Sequence, residues 1–321
     1  MRFLVTGGSG FVGSHLTERL LESGHEVTVL DNFSTSNQKN LQSHKGDPNL
    51  KVIPGSILDT ALVQELISGK DGCFHLAAAV GVKTIVENPV NSLITNIRGS
   101  EVVLEAAQKY VVPTLVTSTS EIYGKNKSEK ISEESDRILG SPLISRWTYS
   151  EAKAIEELLA YELWKTSKIK THIVRLFNTV GPRQLGDYGM VIPRLIRSAL
   201  LHEDMIVHGE GNQTRTFCHV ADAVSGILAV WNSEATVGKA INIGGNEEIT
   251  INALAERIKK IAGSSSQIIH IPHKVIYEHG FEDIPRRVPD IGRAESLTGW
   301  TPKKTLDDII NDTISEMKKN L

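Results

Sequence analysis

Residues 3–13 read Phe-Leu-Val-Thr-Gly-Gly-Ser-Gly-Phe-Val-Gly, an apolar strand followed by a glycine-rich turn and the start of an amphipathic helix. Gly7, Gly10 and Gly13 are evenly spaced, which permits a tight turn, close approach of the backbone to a pyrophosphate, and close packing of the helix on its strand. Free N–H groups and the helix dipole favour negative charge at this helix start. The stretch therefore predicts a dinucleotide cradle.

A second apolar run, residues 26–31, ends in Asp31. A carboxylate at this position can accept hydrogen bonds from an adenine-ribose 2′-hydroxyl and would repel a 2′-phosphate. Residues 32–35 contain no Arg or Lys to neutralise such a phosphate. The sequence therefore favours NAD over NADP.

The rest of the chain repeats the pattern of strand and helix. Strand-like runs occupy residues 3–6, 26–31, 51–53, 73–76, 113–118 and 171–177, and helices fit near 11–22, 60–68, 89–110 and 147–166. This alternation predicts an α/β fold, a doubly wound parallel sheet of the Rossmann type with ligands beyond the carboxyl ends of its strands. After Phe177 the pattern weakens to a helix at 191–201, a strand and turn at 241–245 and a helix at 251–262. We expect residues 1–177, with 214–244 returning to them, to form the NAD-binding domain, and 178–213 with 245–321 to form a smaller C-terminal substrate lobe.

Composition narrows the class of protein. The chain has 321 residues, of which 40% are hydrophobic, and a net charge of −3, so it can bury a full core and has no broad basic field for nucleic acid. It has no apolar run long enough for a membrane span and no room for a signal peptide before the first strand, which predicts a cytoplasmic protein without a membrane partner. Cys73 and Cys218 have no second Cys or His at ligand spacing, so buried thiols are expected and a metal site is not.

Tyr149 and Lys153 are the candidates for acid–base chemistry. Residues four apart share one helix face, so the ammonium can lower the pKa of the phenol by stabilising its phenolate. The same spacing occurs at Tyr123 and Lys127 and at Tyr161 and Lys165. Tyr123 lies in a glycine- and lysine-rich turn, and Tyr161 lies far along the helix and faces away from the strand ends. Only Tyr149 is predicted in the first turn of a helix, where it could meet a nicotinamide.

The fifth strand-like run ends in Thr117-Ser118-Thr119-Ser120-Glu121, which places hydroxyls and a carboxylate in the same crevice. Thr119 could share a proton with the substrate and with Tyr149, and a hydroxyl-rich strand end could equally cap a turn. Glu121 could abstract a proton, remain solvated or cap the next turn. Thr119 is therefore a catalytic candidate, and Ser120 and Glu121 are further ones.

Several motifs follow one another in a fixed order. They are Gly7-x-x-Gly10-x-x-Gly13, Asp31, His75-Leu76-Ala77-Ala78, Asn96, residues 118–124, Tyr149-Ser-Glu-Ala-Lys153, residues 177–183 and residues 209–217. Together they resemble the extended short-chain dehydrogenase/reductase family, and within it the NAD-dependent epimerase/dehydratase enzymes that act on nucleotide sugars. The resemblance covers essentially the whole chain.

The resemblance implies roles for individual residues. Tyr149 would remove the proton of a sugar hydroxyl, normally at C4, through or alongside Thr119, while hydride passes to NAD and Lys153 holds the ribose. Candidate cofactor contacts are Gly7, Gly10, Phe11, Val12, Gly13, Asp31, Asn32, Ser34, Ser56, Ile57, Leu76, Ala77, Ala78, Asn96, Thr117, Tyr149 and Lys153. Candidate substrate contacts are Asn178, Arg215 and Arg287 on the diphosphate, Met190 and Val191 near the base, Lys83, and Arg183 on a C6 carboxylate. A homodimer through the helices near 89–110 and 149–166 is also implied.

The reaction that follows C4 oxidation separates the branches of this family. The loop at residues 81–83 and the second half of the chain favour a UDP-sugar 4-epimerase. The alternative is a UDP-glucuronate decarboxylase, which resembles this chain in the triplet Thr119-Ser120-Glu121 and in an arginine matching Arg287. A dehydratase is less favoured because Ser120 stands where an aspartate is usual. A remote alternative is a non-catalytic NAD-sensing protein on the same fold.

Overall fold

The computed structural model describes residues 1–80, 88–184, 190–272, 284–319 and 321. Its strands are β1 (Arg2–Thr6), β2 (Glu26–Asp31), β3 (Leu50–Pro54), β4 (Gly72–His75), β5 (Thr114–Thr119), β6 (Thr171–Leu176), β7 (Thr179–Val180), β8 (Met205–His208), β9 (Thr214–Thr216), β10 (Cys218–His219), β11 (Ala240–Ile243), β12 (Glu248–Thr250), β13 (Ile268–Ile271) and β14 (Arg286–Arg287). Its α-helices are α1 (Phe11–Glu22), α2 (Thr60–Ile67), α3 (Pro89–Tyr110), α4 (Thr148–Ser167), α5 (Val191–Leu200), α6 (Val220–Trp231), α7 (Ile251–Ala262), α8 (Gly292–Thr298) and α9 (Leu306–Lys318).

The central sheet has seven strands in the order β11-β6-β5-β4-β1-β2-β3. Every neighbouring pair in it is parallel, with Val5 of β1 opposite Val29 of β2 and Phe74 of β4. The chain starts in the middle, builds outward to β3 and then returns to build the other half. This is the predicted doubly wound sheet, and the reversal between β1 and β4 opens a crevice at their carboxyl ends.

The two faces of the sheet are covered by different helices, because successive side chains of a strand point to opposite faces. Phe3 and Val5 pack with α1 and α6 in one buried cluster, and Leu4 packs with α2 and α3 in another. Burial on both faces explains why the strands read as continuous apolar runs rather than as alternating ones.

Helix α6 was not predicted from the sequence. Its residues, Val220 to Trp231, are mostly apolar, and it lies buried between β10 and β11 against the sheet. A helix that is apolar around its circumference has no polar face to reveal its period, so the sequence pattern could not distinguish it from a buried strand.

A separate buried cluster lies on the C-terminal side. It is built from α5, α7 and α9 together with Met205 and Val207 of β8. Trp300, by contrast, packs in the cluster of the central sheet with α6. The predicted division into a nucleotide domain and a substrate lobe stays a prediction, and these two clusters are the cores that such units would have.

Both cysteines are buried free thiols, as predicted. Burial raises the pKa of Cys73 to about 12 and raises that of Cys218 as well. Neither thiol is therefore available as a thiolate near neutral pH. Within the described ranges no group of three metal-ligating side chains occurs, and no helix among them is both long and apolar enough to cross a membrane.

Candidate active site

The glycine turn after β1 has the geometry that its spacing predicts. Gly7 adopts a φ of +68°, and its N–H donates to the Leu30 carbonyl at 2.8 Å. A Cβ on Gly13 would lie 2.1 Å from the Gly7 carbonyl oxygen, and a Cβ on Gly7 would lie 2.8 Å from the backbone of Ala77. A side chain at either position would displace α1 or the segment after β4, so both positions require glycine.

Helix α1 begins directly at this turn. Its N-cap residue, Gly10, makes no side-chain cap, and the first turn contains no acidic residue. The first N–H groups of a helix have no acceptor within the helix, and the dipole favours an anion there. Phe11, Val12 and Gly13 therefore offer backbone donors to a pyrophosphate, and the residues present fit a dinucleotide.

Asp31 lies at the end of β2 beside the same turn. Its carboxylate accepts hydrogen bonds from the N–H groups of Ser9 at 3.0 Å and Phe33 at 2.9 Å and from the Ser36 hydroxyl at 2.8 Å. These donors fix the orientation of a carboxylate that is nearly buried. Its contact with an adenine ribose stays a prediction, and the fixed orientation supports it.

The other predicted cofactor residues line the same strand ends. Leu76, Ala77 and Ala78 follow β4, and the N–H groups of Leu76 and Ala77 donate to the carbonyl and hydroxyl of Thr6. Both ends of the Asn96 amide bind the Ala79 backbone, at 2.7 and 3.1 Å, so Asn96 holds this segment in place.

Two further groups of predicted cofactor residues lie near the carboxyl ends of β2 and β3. Asn32 and Ser34 form an exposed turn, Ser56 accepts from the Leu58 N–H, and Ile57 is buried in the core. Contacts of these residues with the cofactor stay predictions.

Tyr149 lies in the first turn of α4, with Lys153 one turn further along. Lys153 is 1% exposed, and its Nζ donates to the Thr117 carbonyl and to Glu156 Oε2, both at 2.8 Å. Thr117 is at the end of β5, so this contact ties the catalytic face of α4 to the strand. Tyr149 and Lys153 thus lie near the end of β5, and Glu156 accepts a hydrogen bond from the lysine of this pair.

The sequence predicts that the Lys153 ammonium lowers the Tyr149 pKa, and this expectation is not met. Burial raises the pKa of the Tyr149 phenol, and the negative charges of Glu156 and Glu121 raise it further. Glu156 neutralises the ammonium, so the charge that reaches Tyr149 is that of a pair rather than of a lone cation.

The two other tyrosines of the same spacing have different surroundings. The Tyr123 hydroxyl is buried, donates to Asn242 at 2.7 Å and accepts from Arg175 at 2.8 Å. Tyr161 is on the exposed side of α4, where its ring packs against Trp164. Neither phenol faces the crevice at the strand ends.

The end of β5 holds the predicted hydroxyls and carboxylate. The Thr119 hydroxyl accepts from the Glu121 N–H at 3.1 Å and caps a short 3₁₀ turn. Of the two roles open to Thr119 from the sequence, this contact is the capping one. The Thr119 hydroxyl proton stays available for the predicted contact with substrate.

Two arginines hold the Glu121 carboxylate. Arg287 Nη1 donates to Oε1 at 2.6 Å, and Arg146 Nη2 lies 2.9 Å from Oε2. Arg287 also donates to the Ser120 hydroxyl at 3.3 Å. The guanidinium groups outweigh the burial that opposes charge and lower the pKa of Glu121 to about 2. Glu121 is therefore a carboxylate at neutral pH and a weak base, which disfavours its predicted role in proton abstraction.

The predicted substrate residues are dispersed around the second half of the chain. Asn178 donates to the Thr216 carbonyl at 2.8 Å, and Arg215 donates to the Thr214 carbonyl at 2.8 Å. Met190 and Val191 begin α5. Lys83 lies outside the described residues.

Arg183 and Arg287 both form contacts within the protein. The Arg183 guanidinium binds Glu18 at 2.8 Å and Ser14 at 3.2 Å on α1, which does not support a contact with a C6 carboxylate. Arg287 binds Glu121 and Ser120, and its contact with a diphosphate stays a prediction.

Sequence reasoning missed Arg146 and Glu156. Arg146 precedes Tyr149 by three residues and Glu156 follows Lys153 by three, so both belong to the same turn region as the predicted pair. The spacing of Glu156 from Lys153 places both on one helix face and was a usable signal. For Arg146 no sequence signal indicated that it reaches Glu121.

Comparisons with known proteins agree with this site. A family model described as GDP-mannose 4,6 dehydratase matches residues 4–313. A UDP-N-acetyl-α-D-glucosaminuronate decarboxylase of Bacillus cytotoxicus is 40% identical over 98% of this chain and 96% of its own, and UDP-glucuronic acid decarboxylase 1 of Xenopus tropicalis is 35% identical over 100% and 73%. A crystal structure of UDP-glucuronic acid 4-epimerase from Bacillus cereus, with UDP-glucuronic acid and NAD, superposes with a TM-score of 0.90 at 29% identity and full coverage of both chains.

The comparisons and the site indicate the same family. The match covers nearly the whole chain, which carries both the glycine turn with Asp31 and the Tyr149–Lys153 pair. The NAD in the superposed epimerase is the cofactor predicted here from the glycine turn and Asp31. The chain therefore belongs to the GDP-mannose 4,6 dehydratase family and is an NAD-dependent enzyme of the epimerase/dehydratase type that acts on nucleotide sugars.

Proposed function

We propose that this protein is a decarboxylase of a UDP-linked hexuronate, which it oxidises at C4 before carbon dioxide leaves. The sequence alone favours a 4-epimerase, and the relatives support the alternative better. The two curated relatives described above are both named as decarboxylases of UDP-linked uronic acids. The B. cereus epimerase shares the fold, so the fold by itself does not separate the two reactions.

The observation that carries the proposal is the cluster at the end of β5. One carboxylate, Glu121, lies between the two guanidinium groups of Arg287 and Arg146, so the cluster has a net positive charge. Arg287 is 3% exposed, which strengthens its attraction for an anion. A sugar whose C4 hydroxyl meets Tyr149 would extend its C6 carboxylate toward this cluster.

The chemistry assigned to the chain begins at Tyr149. Its phenolate accepts the C4 hydroxyl proton, with the Thr119 hydroxyl beside it, while Lys153 orients the cofactor ribose. NAD, when bound, takes up two electrons from C4 and returns them at the end of the cycle. Oxidation at C4 makes the sugar a β-keto acid.

Decarboxylation then follows from the sugar's own bonds. The C5–C6 bond breaks, its electron pair forms a C4–C5 double bond as the C4 ketone becomes an enolate, and carbon dioxide leaves. The positive charge of Arg287 stabilises the negative charge that develops on the enolate oxygen as the carboxylate loses its own. A proton then adds to C5, and reduction at C4 completes a UDP-linked pentose.

The proposal is tested by the mass of the product. The purified protein is incubated with NAD and, separately, UDP-glucuronate, UDP-N-acetylglucosaminuronate and UDP-glucose. We expect one of the two uronates to lose the mass of one carbon dioxide and UDP-glucose to remain unchanged. A product of unchanged mass with inverted C4 would establish the epimerase instead, and loss of one water would establish a dehydratase.

We also infer that the protein is a homodimer. Large apolar side chains are exposed along two adjacent helices, with Val90 and Ile94 on α3 and Leu158 and Tyr161 on α4. The two helices pack against each other, so these exposed side chains lie on neighbouring elements. An exposed apolar surface of this kind is typical of a protein–protein interface.

A further inference from the structure

A chain of buried polar contacts runs from the glycine turn to the catalytic lysine. The Thr6 hydroxyl lies 2.7 Å from His75 Nδ1, and His75 Nε2 lies 3.0 Å from the Ser100 hydroxyl. The Ser100 hydroxyl lies 3.0 Å from Glu156 Oε2, which accepts from Lys153 Nζ at 2.8 Å. All five residues are buried, and they come from β1, β4, α3 and α4.

The contacts in this chain have a defined direction. Burial and the nearby Lys153 charge lower the pKa of His75 to about 3, so the ring is neutral and carries a single N–H. If Thr6 donates to Nδ1, then Nε2–H donates to Ser100, whose single proton lies within reach of the Asn96 carbonyl at 2.7 Å and of Glu156 Oε2 at 3.0 Å. Every hydroxyl proton then has an acceptor, and the Glu156 carboxylate accepts from Lys153 and shares the Ser100 proton with the Asn96 carbonyl.

Lys153 has three protons to donate. The Thr117 carbonyl takes one and Glu156 Oε2 takes a second, which leaves one for the region of Tyr149 and the cofactor ribose. The carboxylate thus determines which way the last proton points. Removing it would leave a buried ammonium with one anchor fewer and no counter-charge.

We propose that Glu156 is a positioning residue that acts through Lys153: held by Ser100 and His75, it fixes and neutralises the ammonium and so sets the pH at which Tyr149 becomes a base. The proposal rests on the role of Tyr149 in the proposed function. It assigns no contact between Glu156 and the substrate.

Other charged groups face Tyr149 and Lys153, and they define what Glu156 adds. Glu121 faces Tyr149 from the 3₁₀ turn after β5, and its charge is offset by Arg146 and Arg287. His75 faces Lys153 from β4 and is neutral. Glu156 therefore contributes an anion that raises the Tyr149 pKa, and its replacement by a neutral amide should lower that pKa.

The test is a titration of the Tyr149 phenol by ultraviolet difference absorbance, with the NAD-saturated protein measured against its own Tyr149→Phe counterpart. We expect the phenolate of Glu156→Gln to form about one pH unit below that of the parent, because one buried negative charge has been removed. Glu157→Gln is the matched control. Glu157 is the next residue of α4 and is buried in an ion pair with Arg175.

Glu157→Gln should lower thermal stability while leaving the phenol midpoint in place. Ser100→Ala provides a second variant: it keeps the carboxylate but removes a donor, which favours the neutral form of Glu156, so the midpoint should fall by a smaller amount. Unchanged midpoints in Glu156→Gln and Ser100→Ala, or an equal shift in Glu157→Gln, would overturn the proposal. No sugar enters this titration, so its outcome is independent of whether the uronate is decarboxylated.

Discussion

Tyr149, Tyr123 and Tyr161 are each followed by a lysine four residues later, so this spacing does not distinguish them. Their surroundings do. Helix position selected Tyr149 from the sequence, and the structure adds that the Tyr123 hydroxyl is occupied by Asn242 and Arg175. The local pattern thus supplied candidates, and the position of each candidate relative to the strand ends decided between them.

Tyr149→Phe should lower kcat by about 10³-fold or more, because the variant cannot accept the C4 hydroxyl proton and the remaining groups of the site still bind substrate. Steady-state kinetics and nucleotide-sugar binding by calorimetry check both parts. Tyr161→Phe is the control and should change neither. Equal turnover in Tyr149→Phe and the parent would refute the assignment.

Glu121 gives a prediction about acid stability. Arg287 and Arg146 lower its pKa from 4.5 to about 2 in the folded protein. Between these two pH values Glu121 is therefore more often ionised in the folded protein than in the unfolded chain. The stabilisation is therefore fully present above about pH 4.5 and is lost as the pH falls toward 2.

The free energy of unfolding of the parent and of Glu121→Gln, measured by denaturant titration at several pH values, checks this. The parent should be the more stable at pH 7, and the difference should shrink below pH 4.5. A difference that stays constant across this window would show that the carboxylate is not ionised by its arginines.

Some residues of the site could not be assigned from the sequence. Arg287 and Glu121 are separated by 166 positions, and only the folded chain brings β14 against the end of β5. Glu156 follows Lys153 by three positions, so its spacing indicates a shared helix face, but its acceptor role depends on Ser100 and His75 of other elements. Contacts between distant elements are decided by topology, which a local pattern does not encode.

The turn from β1 to α1 is the element whose geometry is fixed most tightly. Gly13→Ala should lower NAD affinity at least tenfold, since its Cβ would lie 2.1 Å from the Gly7 carbonyl oxygen and α1 must move to relieve this contact. Fluorescence titration with NAD measures the loss.

Gly24→Ala is the control for this prediction. A Cβ at this position would meet nothing within 4 Å. The positive φ of Gly24 makes the alanine variant slightly less stable than the parent, but the substitution does not alter the turn from β1 to α1. NAD affinity should therefore stay that of the parent. Undiminished NAD affinity in Gly13→Ala would show that this close packing is dispensable.

The strands and helices of the nucleotide-binding half were predicted within a few residues. Their apolar runs are bounded by glycines and polar turns, so the length of each run and its periodicity indicate the same type of element. Beyond Phe177 the prediction was poorer, because α6 has no polar face and the short strands β7 to β10 have two to four residues each. Such short strands are held by neighbours from elsewhere in the chain rather than by their own pattern.

At the scale of the whole molecule, the second half of the chain completes a site that the first half begins. Tyr149, Lys153 and Glu121 come from the Rossmann-type sheet and its helices, whereas Arg287 arrives from β14, which pairs with β9. The dinucleotide cradle and the charged cluster therefore lie at one end of the sheet, as the reversal of strand order predicts.

The dimer is tested at the same scale. Leu158→Glu, at a position 59% exposed on α4, should convert the dimer to a monomer by placing a charge in an apolar interface. Sedimentation equilibrium measures the mass. Leu143→Glu, in an exposed segment before α4, is the control and should leave the mass unchanged. A monomeric parent would contradict the inference.

Conversion of UDP-glucuronate and UDP-N-acetylglucosaminuronate in heavy water, followed by proton NMR of the product, tests the central claim most directly. The account predicts that one of them yields a UDP-linked pentose with one deuterium at C5 and the substrate's own hydrogen at C4, because carbon dioxide leaves from C5 and the C4 hydrogen returns from the cofactor. A six-carbon product with inverted C4 and no deuterium at C5 would contradict it.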